Sequence, residues 1–403
     1  MLRLATTVGR TSVLPRRGGS GVTASRRSAA IVRVRDAGFA ACLAVGGLAW
    51  ATLPGRIVLE SPSLGGPRLL TPGDDVDVVV RVGMPWAMHV DAATLQHGDA
   101  RVPLSLAPLD SDGPLQTIRV RVPAGCPPAL YDLEVRAGAA AARTRRAVAV
   151  LARIPERFTI AQITDLHIGY RPGSEKLVGQ IIDEINRLDP ALVVVSGDIA
   201  DHGRWDEYSR AETILGHLAA PIVTVPGNHD RRGRAGYLST FGPLSTAVGF
   251  GRWTFVRMDA GHGRDEFTLS QIRFLARTLA ATDSGRVIAV SHIPLAGKRS
   301  VRSRTAELAD LLSRNHVPLL LSGHLHFDAT YGMPGDPGTG GETRYVVTAT
   351  AGGNLVPRDD LEVPMHGYQV IVVENGLIRS VTARHLMSDA PPETRGGGPG
   401  MQP

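Results

Sequence analysis

The sequence predicts an α/β domain preceded by a small all-β sandwich, and three observations carry that prediction. From Arg56 to about Leu151, short alternating or β-branched runs are broken by turn residues, with no helical period between them. From Phe158 onward, apolar strand-like runs alternate with longer amphipathic ones. Just past five of those runs sit carboxylates, imidazoles and a carboxamide, which is where an open α/β sheet binds its ligands.

The amino-terminal region reads as strands at Asp75 to Val82, Thr117 to Val122, Tyr131 to Val135 and Arg146 to Leu151, separated by clusters such as Pro72-Gly73-Asp74. Strands at this spacing predict an immunoglobulin-like antiparallel sandwich over residues 54–153. It holds no catalytic constellation and reads as a packing or positioning module. Cys126 lies in this region and reads as a small buried apolar residue. The other cysteine, Cys42, falls in the segment ahead of it, so removal of that segment leaves no intrachain disulfide.

That leading segment reads as an address. The chain has 403 residues and a formal charge of +6; residues 1–51 hold eight Arg and one Asp, a local +7 that leaves −1 for the rest. Global basicity therefore says little about partners. After Arg26, Arg27, Arg33 and Arg35, residues 37–53 carry no charge, and Ala49-Trp50-Ala51 offers a small-x-small exit. Residues 1–53 are thus expected to be a signal peptide or a membrane anchor, giving an exported protein, periplasmic, extracellular or membrane-anchored, with possible membrane association through residues 37–53.

In the second region, Phe158 to Thr164, Leu192 to Ser196, Ile222 to Val225, Val287 to Ser291 and Leu319 to Ser322 read as buried strands. Leu177 to Leu188, Asp206 to Leu218 and Leu269 to Ala280 read as helices, and Tyr345 to Thr350 and Tyr368 to Val373 as later strands. The domain is expected over residues 154–387, with a disordered Gly- and Pro-rich tail at 388–403.

The strand ends deliver Asp165 and His167, then Asp198 and Asp201, then Asn228, His229 and Asp230, then His292, and finally His324 and His326. Taken singly, each reads as a turn, a cap or a loop histidine. Together they supply ligands suited to hard or borderline divalent metals. So many ionisable groups at one edge would be costly to bury unless a cation compensated them. Asp230 reads as a cap for the following turn.

The blocks Asp165-Leu166-His167, Gly197-Asp198-Ile199-Ala200-Asp201, Gly227-Asn228-His229-Asp230, Ser291-His292 and Gly323-His324-Leu325-His326 resemble the signature of the calcineurin-like metallophosphoesterase superfamily, over roughly Phe158 to Leu386. The resemblance implies a four-layer α/β/β/α sandwich of two mixed sheets flanked by helices, carrying two divalent metal ions (Mn, Fe or Zn). It implies a first metal on Asp165, His167, Asp198 and His326, and a second on Asp198, Asn228, His292 and His324, with Asp198 bridging. A carboxylate shared by two cations relieves their repulsion, and a hydroxide between them becomes available near neutral pH as nucleophile. His229 is left to stabilise the transition state or protonate the departing alkoxide, and the resemblance has Asp201 orient and charge it.

Departures narrow the type. Purple acid phosphatases carry tyrosine where Asp201 stands and glycine where His167 stands. Ser/Thr protein phosphatases carry Arg and Glu at the places of His202 and Asp230. The pattern is most similar to bacterial class III cyclic nucleotide phosphodiesterases, through Gly197 to Gly203, Gly227 to Asp230 and His292 to Pro294. The expected activity is hydrolysis of a phosphodiester or small monoester. Two other readings are an exported binding protein with a vestigial metal domain, and a nuclease of the same superfamily. Against the first, none of the seven ligands is missing; against the second, a charge near −1 offers no duplex-binding face, so no nucleic-acid partner is expected. The basic stretches Arg231 to Arg234 and Lys298 to Arg304 read as solvated loops, or as a rim for extra phosphate or an anionic head group.

Overall fold

The computed structural model describes residues 56–83, 88–110, 114–260, 267–283, 285–295, 303–332, 343–356 and 365–386. The expected leader at 1–53 and tail at 388–403 lie outside them, as do Lys298 to Arg302. Among the described residues, no helix is long and apolar enough to cross a membrane.

Nine strands come first: β1 (Ile57–Ser61), β2 (Arg68–Leu70), β3 (Asp75–Val82), β4 (Ala92–His97), β5 (Ala100–Pro103), β6 (Ser105–Asp110), β7 (Leu115–Arg121), β8 (Ala129–Ala137) and β9 (Ala140–Val150). They form two sheets, β1-β3-β7-β6 and β2-β9-β8-β4-β5. The period-2 alternation of β3 decides its facing: Val76, Val78, Val80 and Val82 turn inward against Leu95, Leu133, Val135 and Val148 of the other sheet. Asp75 and Asp77 turn outward, where Arg121 and Arg119 of β7 meet them as bidentate cross-strand pairs. Cys126 is buried in this core.

The remaining chain runs β10 (Arg157–Ile163), α1 (Ser174–Leu188), β11 (Leu192–Val195), α2 (Trp205–Leu215), β12 (Ile222–Thr224), a 3-10 turn (Asp230–Gly233), α3 (Arg234–Phe241), β13 (Thr246–Phe250) and β14 (Trp253–Met258). It continues through α4 (Leu269–Ala280), β15 (Val287–Ser291), α5 (Thr305–Arg314), β16 (Leu319–Ser322), β17 (Ala329–Gly332), β18 (Arg344–Val347), β19 (Gly367–Glu374) and β20 (Leu377–His385). One sheet is β12-β11-β10-β19-β20, parallel from β12 to β10 and antiparallel through β19 and β20; the other is β13-β14-β15-β16-β18-β17, with a parallel centre and an antiparallel strand at each edge.

The layering follows from strands that are apolar on both faces. In β11, Leu192 and Val194 point between the sheets, against residues such as Ile288 and Leu321, whereas Val193 and Val195 pack on Val178, Ile182 and Tyr208 from α1 and α2. On the far side, Ala289 and Leu320 pack under Leu275, Leu279, Leu308 and Leu312 of α4 and α5. The order is therefore α/β/β/α.

Two features fasten the sandwich to this domain. At the Ser63–Gly66 turn, Thr224 N donates to Gly65 O (2.9 Å), while Gly65 N and Ser63 Oγ donate to Phe241 O (3.0 and 2.9 Å). Arg146 sits at a register shift between β8 and β9 with φ +51°, and its guanidinium caps the end of α2 by donating to the carbonyls of Gly216, Leu218 and Ala220.

The structure differs from the sequence reading at Arg231 to Arg234. These residues form a 3-10 turn and the start of α3 rather than a solvated loop, and Arg231 donates to Ala260 O. Asp230 opens that turn, and its neighbours follow it into helix.

Candidate metal centre

The five parallel strands β10, β11, β12, β15 and β16 end on one side of the two packed sheets, so the loops after them converge. Asp165, His167, Asp198, His324 and His326 all lie in the left-handed backbone region, with φ between 46° and 71°. That conformation turns the loop sharply enough for residues two apart to face one cleft, and it costs a non-glycine residue about 1 kcal/mol or more. Close approach of the loops also demands glycine: a Cβ on Gly227 would collide with Asp198, and one on Gly323 with Thr164 and Asp165.

Among the described residues three groups of possible ligand atoms result: Asp165–His167–His326, Asp198–His292–His324 and, beside them, His167–Asp201–His229. In the first, Asp165 Oδ1 lies 3.2 Å from His326 Nε2 and 3.8 Å from His167 Nε2, and the two imidazole nitrogens lie 3.2 Å apart. In the second, His292 Nε2 lies 3.2 Å from Asp198 Oδ2 and 3.1 Å from Asn228 Oδ1. Asp198 Oδ2 also lies 3.8 Å from His167 Nε2, so this carboxylate adjoins both groups. All seven residues expected to ligate metals thus meet at one place.

The orientation of each imidazole is fixed from behind. His292 Nδ1 donates to Ser196 O (2.9 Å), His326 Nδ1 to Asn354 O (2.6 Å), and His167 Nδ1 lies 2.7 Å from Asp201 Oδ1. Because carbonyl oxygens only accept, the protons of His292 and His326 sit on Nδ1, leaving each Nε2 lone pair for the cleft.

The carboxylates are prepared in the same way. Asp165 Oδ2 accepts from Thr164 Oγ1 and His324 N, both at 2.9 Å, whereas the buried Oδ1 takes no hydrogen bond. Asp198 Oδ1 accepts from His229 N (2.8 Å), leaving Oδ2 toward the histidines. A buried carboxylate oxygen without a donor of its own, facing Nε2 atoms, fits a divalent cation.

Without a cation, protons take its place. Burial disfavours charge on His167, but Asp165, Asp201 and Asp198 outweigh it and push its pKa up to about 10; the same balance with Asp198 and Asp165 raises His292 to about 9. Burial opposes ionisation of Asp165 and Asp198 too, yet the neighbouring histidines hold Asp165 well below the usual carboxylate range and Asp198 at about 2.

His229 and Asp201 stand beside this centre, with a detail the sequence did not show. The Asp201 carboxylate engages His167, while His229 Nδ1 donates to the Asp201 backbone carbonyl at 2.6 Å and lies 3.6 Å from Oδ1. The shorter contact belongs to the carbonyl, so Asp201 orients His229 chiefly through its backbone. Asp230 does more than cap a turn. Fully buried, its carboxylate accepts from Gly227 N (2.9 Å), Ile199 N (3.1 Å) and Ala200 N (3.0 Å), tying together the loops that carry Asp198 and Asn228. Burial and the Asp198 charge push its pKa up to about 6, against those three donors. The supporting segment Thr350–Asn354 also escaped the sequence reading, although Gly352-Gly353-Asn354 after an apolar strand was a signal of it. Thr350 Oγ1 and Gly353 N donate to Asp165 O.

Comparison with known proteins agrees with this geometry. Residues 158–328 match the family model for calcineurin-like phosphoesterases. The chain is 31% identical over 162 residues to the glycerophosphodiester phosphodiesterase GpdQ of Enterobacter lignolyticus, covering 34% of this chain and 57% of that protein. It is 28% identical over 167 residues to a probable cyclic nucleotide phosphodiesterase of Rhodococcus erythropolis, covering 37% and 55%. The match thus spans a little over half the length of these curated relatives. A purple acid phosphatase from yellow lupin (Lupinus luteus) seeds shares the fold, with a TM-score of 0.53 at 14% identity over 78% of this chain and 71% of that one. The segment 158–328, with its clusters of candidate ligands at five strand ends, is therefore similar to the calcineurin-like phosphoesterases in both sequence and site.

Proposed function

We propose that this chain is a metal-dependent phosphoesterase that hydrolyses a phosphodiester or a small phosphomonoester. Two divalent cations (Mn, Fe or Zn) would be held by Asp165, His167, Asp198 and His326, and by Asp198, Asn228, His292 and His324. The observation that carries this reading is the pair of ligand clusters with Asp198 adjoining both. Bound cations would supply neutralisation of the phosphoryl oxygens and a lowered pKa for attacking water. The protein's own part is to orient and to move protons. His229, its Nδ1 committed to Asp201 O, has Nε2 left outside that bond, and a proton carried there would pass to the departing alkoxide oxygen. Asp165 and Asp198, held by Thr164, His324 N and His229 N, keep fixed negative charge in the cleft.

Stripping the protein with a chelator should abolish hydrolysis of bis(4-nitrophenyl) phosphate, and Mn²⁺ should restore it. Full activity in the stripped protein would defeat the reading. Export or membrane anchoring is proposed on the Arg-rich start and the charge-free run at 37–53.

A further inference from the structure

We propose that Tyr170 and His202 form the subsite for the leaving arm of the phosphoester; the inference rests on the phosphoesterase reading above. It comes from two loops that continue side by side past the metal ligands. Ile168 and Ala200 form a parallel bridge, with Ile168 N donating to Ile199 O (2.9 Å) and Asp201 N to Ile168 O (3.1 Å). Two residues further along each loop stand Tyr170 and His202, and Gly169, next to Tyr170, lies so close to the Glu207 carboxylate that meets His202 that a Cβ there would collide with it.

Both side chains are exposed where they would be expected to be free, and both are held. Tyr170 is 40% exposed; its ring lies 6.3 Å from that of His167, and the Arg171 guanidinium lies 5.6 Å from its centre. The His202 side chain is 50% exposed, yet its Nδ1 lies 3.1 Å from Glu207 Oε1 and 3.2 Å from Asp201 Oδ2. Glu207 is wholly buried and also accepts from His202 N (2.9 Å) and Arg204 N (3.0 Å). Capping of α2 accounts for the bond to Arg204 N but not for the contact with the imidazole. A surface histidine ordinarily samples several rotamers. One aimed by a buried carboxylate is preorganised, with Nε2 left outside these contacts.

The subsite lies on the leaving side because Asp201 links the two histidines. Its carboxylate is 3.2 Å from His202 Nδ1 on one side, and its carbonyl holds His229, the group placed to protonate the leaving oxygen, on the other. An ester arm departing past His229 therefore meets His202 and Tyr170 next.

The test compares bis(4-nitrophenyl) phosphate with methyl 4-nitrophenyl phosphate, which share a leaving group and differ in the retained arm. In the Mn²⁺-loaded full chain, His202→Ala should lower kcat/KM about tenfold or more on both substrates, mostly through KM, and Tyr170→Ala should lower it several-fold. Glu207→Gln should reproduce part of the His202→Ala loss. Mn²⁺ binding by calorimetry should be unchanged in the His202 and Tyr170 variants. A loss confined to the bis compound would put the lip on the retained arm, and a parallel fall in Mn²⁺ affinity would make the residues structural; either overturns the proposal. An active wild type with an indifferent His202→Ala defeats this inference alone, whereas a wild type inactive on both substrates defeats the phosphoesterase reading and this inference with it.

Discussion

The sandwich keeps its carboxylates at least partly exposed and buries little that is polar beyond Gln96 and Gln116, whereas the four-layer domain places Asp165, Asp198, Asp230, Glu207 and His292 at 0–2% exposure. In the sandwich, Asp75 and Asp77 stay at the surface and pair with Arg121 and Arg119 across the ladder, where such pairs contribute little. Behind the strand ends of the other domain, Asp165, Asp198, Asp230 and Glu207 each accept from dedicated donors, and Asp165 Oδ1, which has none, faces imidazoles. The contrast separates what holds the fold from what the fold is for. Apolar layers would suffice to make the protein compact; apart from Arg257, which is held by Thr224 O and Thr246 Oγ1, the most deeply buried charges among the described residues gather at one cleft.

Three experiments bear on that contrast, beginning with the largest effect. Asp198→Ala removes the carboxylate that adjoins both clusters; phosphodiester hydrolysis should fall about a thousandfold and Mn²⁺ stoichiometry should drop in calorimetry, while far-UV circular dichroism stays native. Retention of two cations by that variant would dissolve the distinction. Next, Leu133→Ala opens a cavity in the sandwich core, where Leu133 is fully buried. It should cost about 2–5 kcal/mol in urea unfolding and leave Mn²⁺ affinity of the folded protein intact. The third effect is one of pH. His167 and His292, raised to about 10 and 9 in the cation-free chain, are protonated at neutral pH, so cation uptake must expel protons. Mn²⁺ affinity should therefore rise with pH across the neutral range, about tenfold per unit for each proton displaced, with proton release visible as a buffer-dependent calorimetric enthalpy. The sandwich should show no such response there. Arg121, by hydrogen bonding, lowers the Asp75 pKa, so the stability of that pair is present above the ordinary carboxylate range and fades only as pH falls through it.

The layers of the fold were legible because period and burial speak in the same residues. Helix α4 begins and ends at Leu269 and Ala280 as its spacing of Ile272, Phe274, Leu275 and Leu279 requires, with a Thr268–Gln271 capping box to start it. The ligands were legible because each follows an apolar strand directly. Other parts leave no local mark. Helix α3 follows Arg231 and Arg232, opens on Arg234 and has hardly any apolar stripe, so little in its pattern distinguishes it from a basic loop. The roles of Ser196 and Asn354 belong to backbone carbonyls, which any side chain could accompany. Arg146 looked like one more residue of a basic strand, because a bulge that re-aims a side chain is a property of two strands together.

Five candidate ligands with left-handed backbones have a consequence for descent. At such positions glycine is the conformationally cheapest residue, so a lineage relieved of its chemistry would gain stability by replacing Asp165, His167, Asp198, His324 or His326 with it. This chain carries acids and imidazoles at all five, and glycines accumulating there in a descendant would signal that the cleft had lost its chemistry.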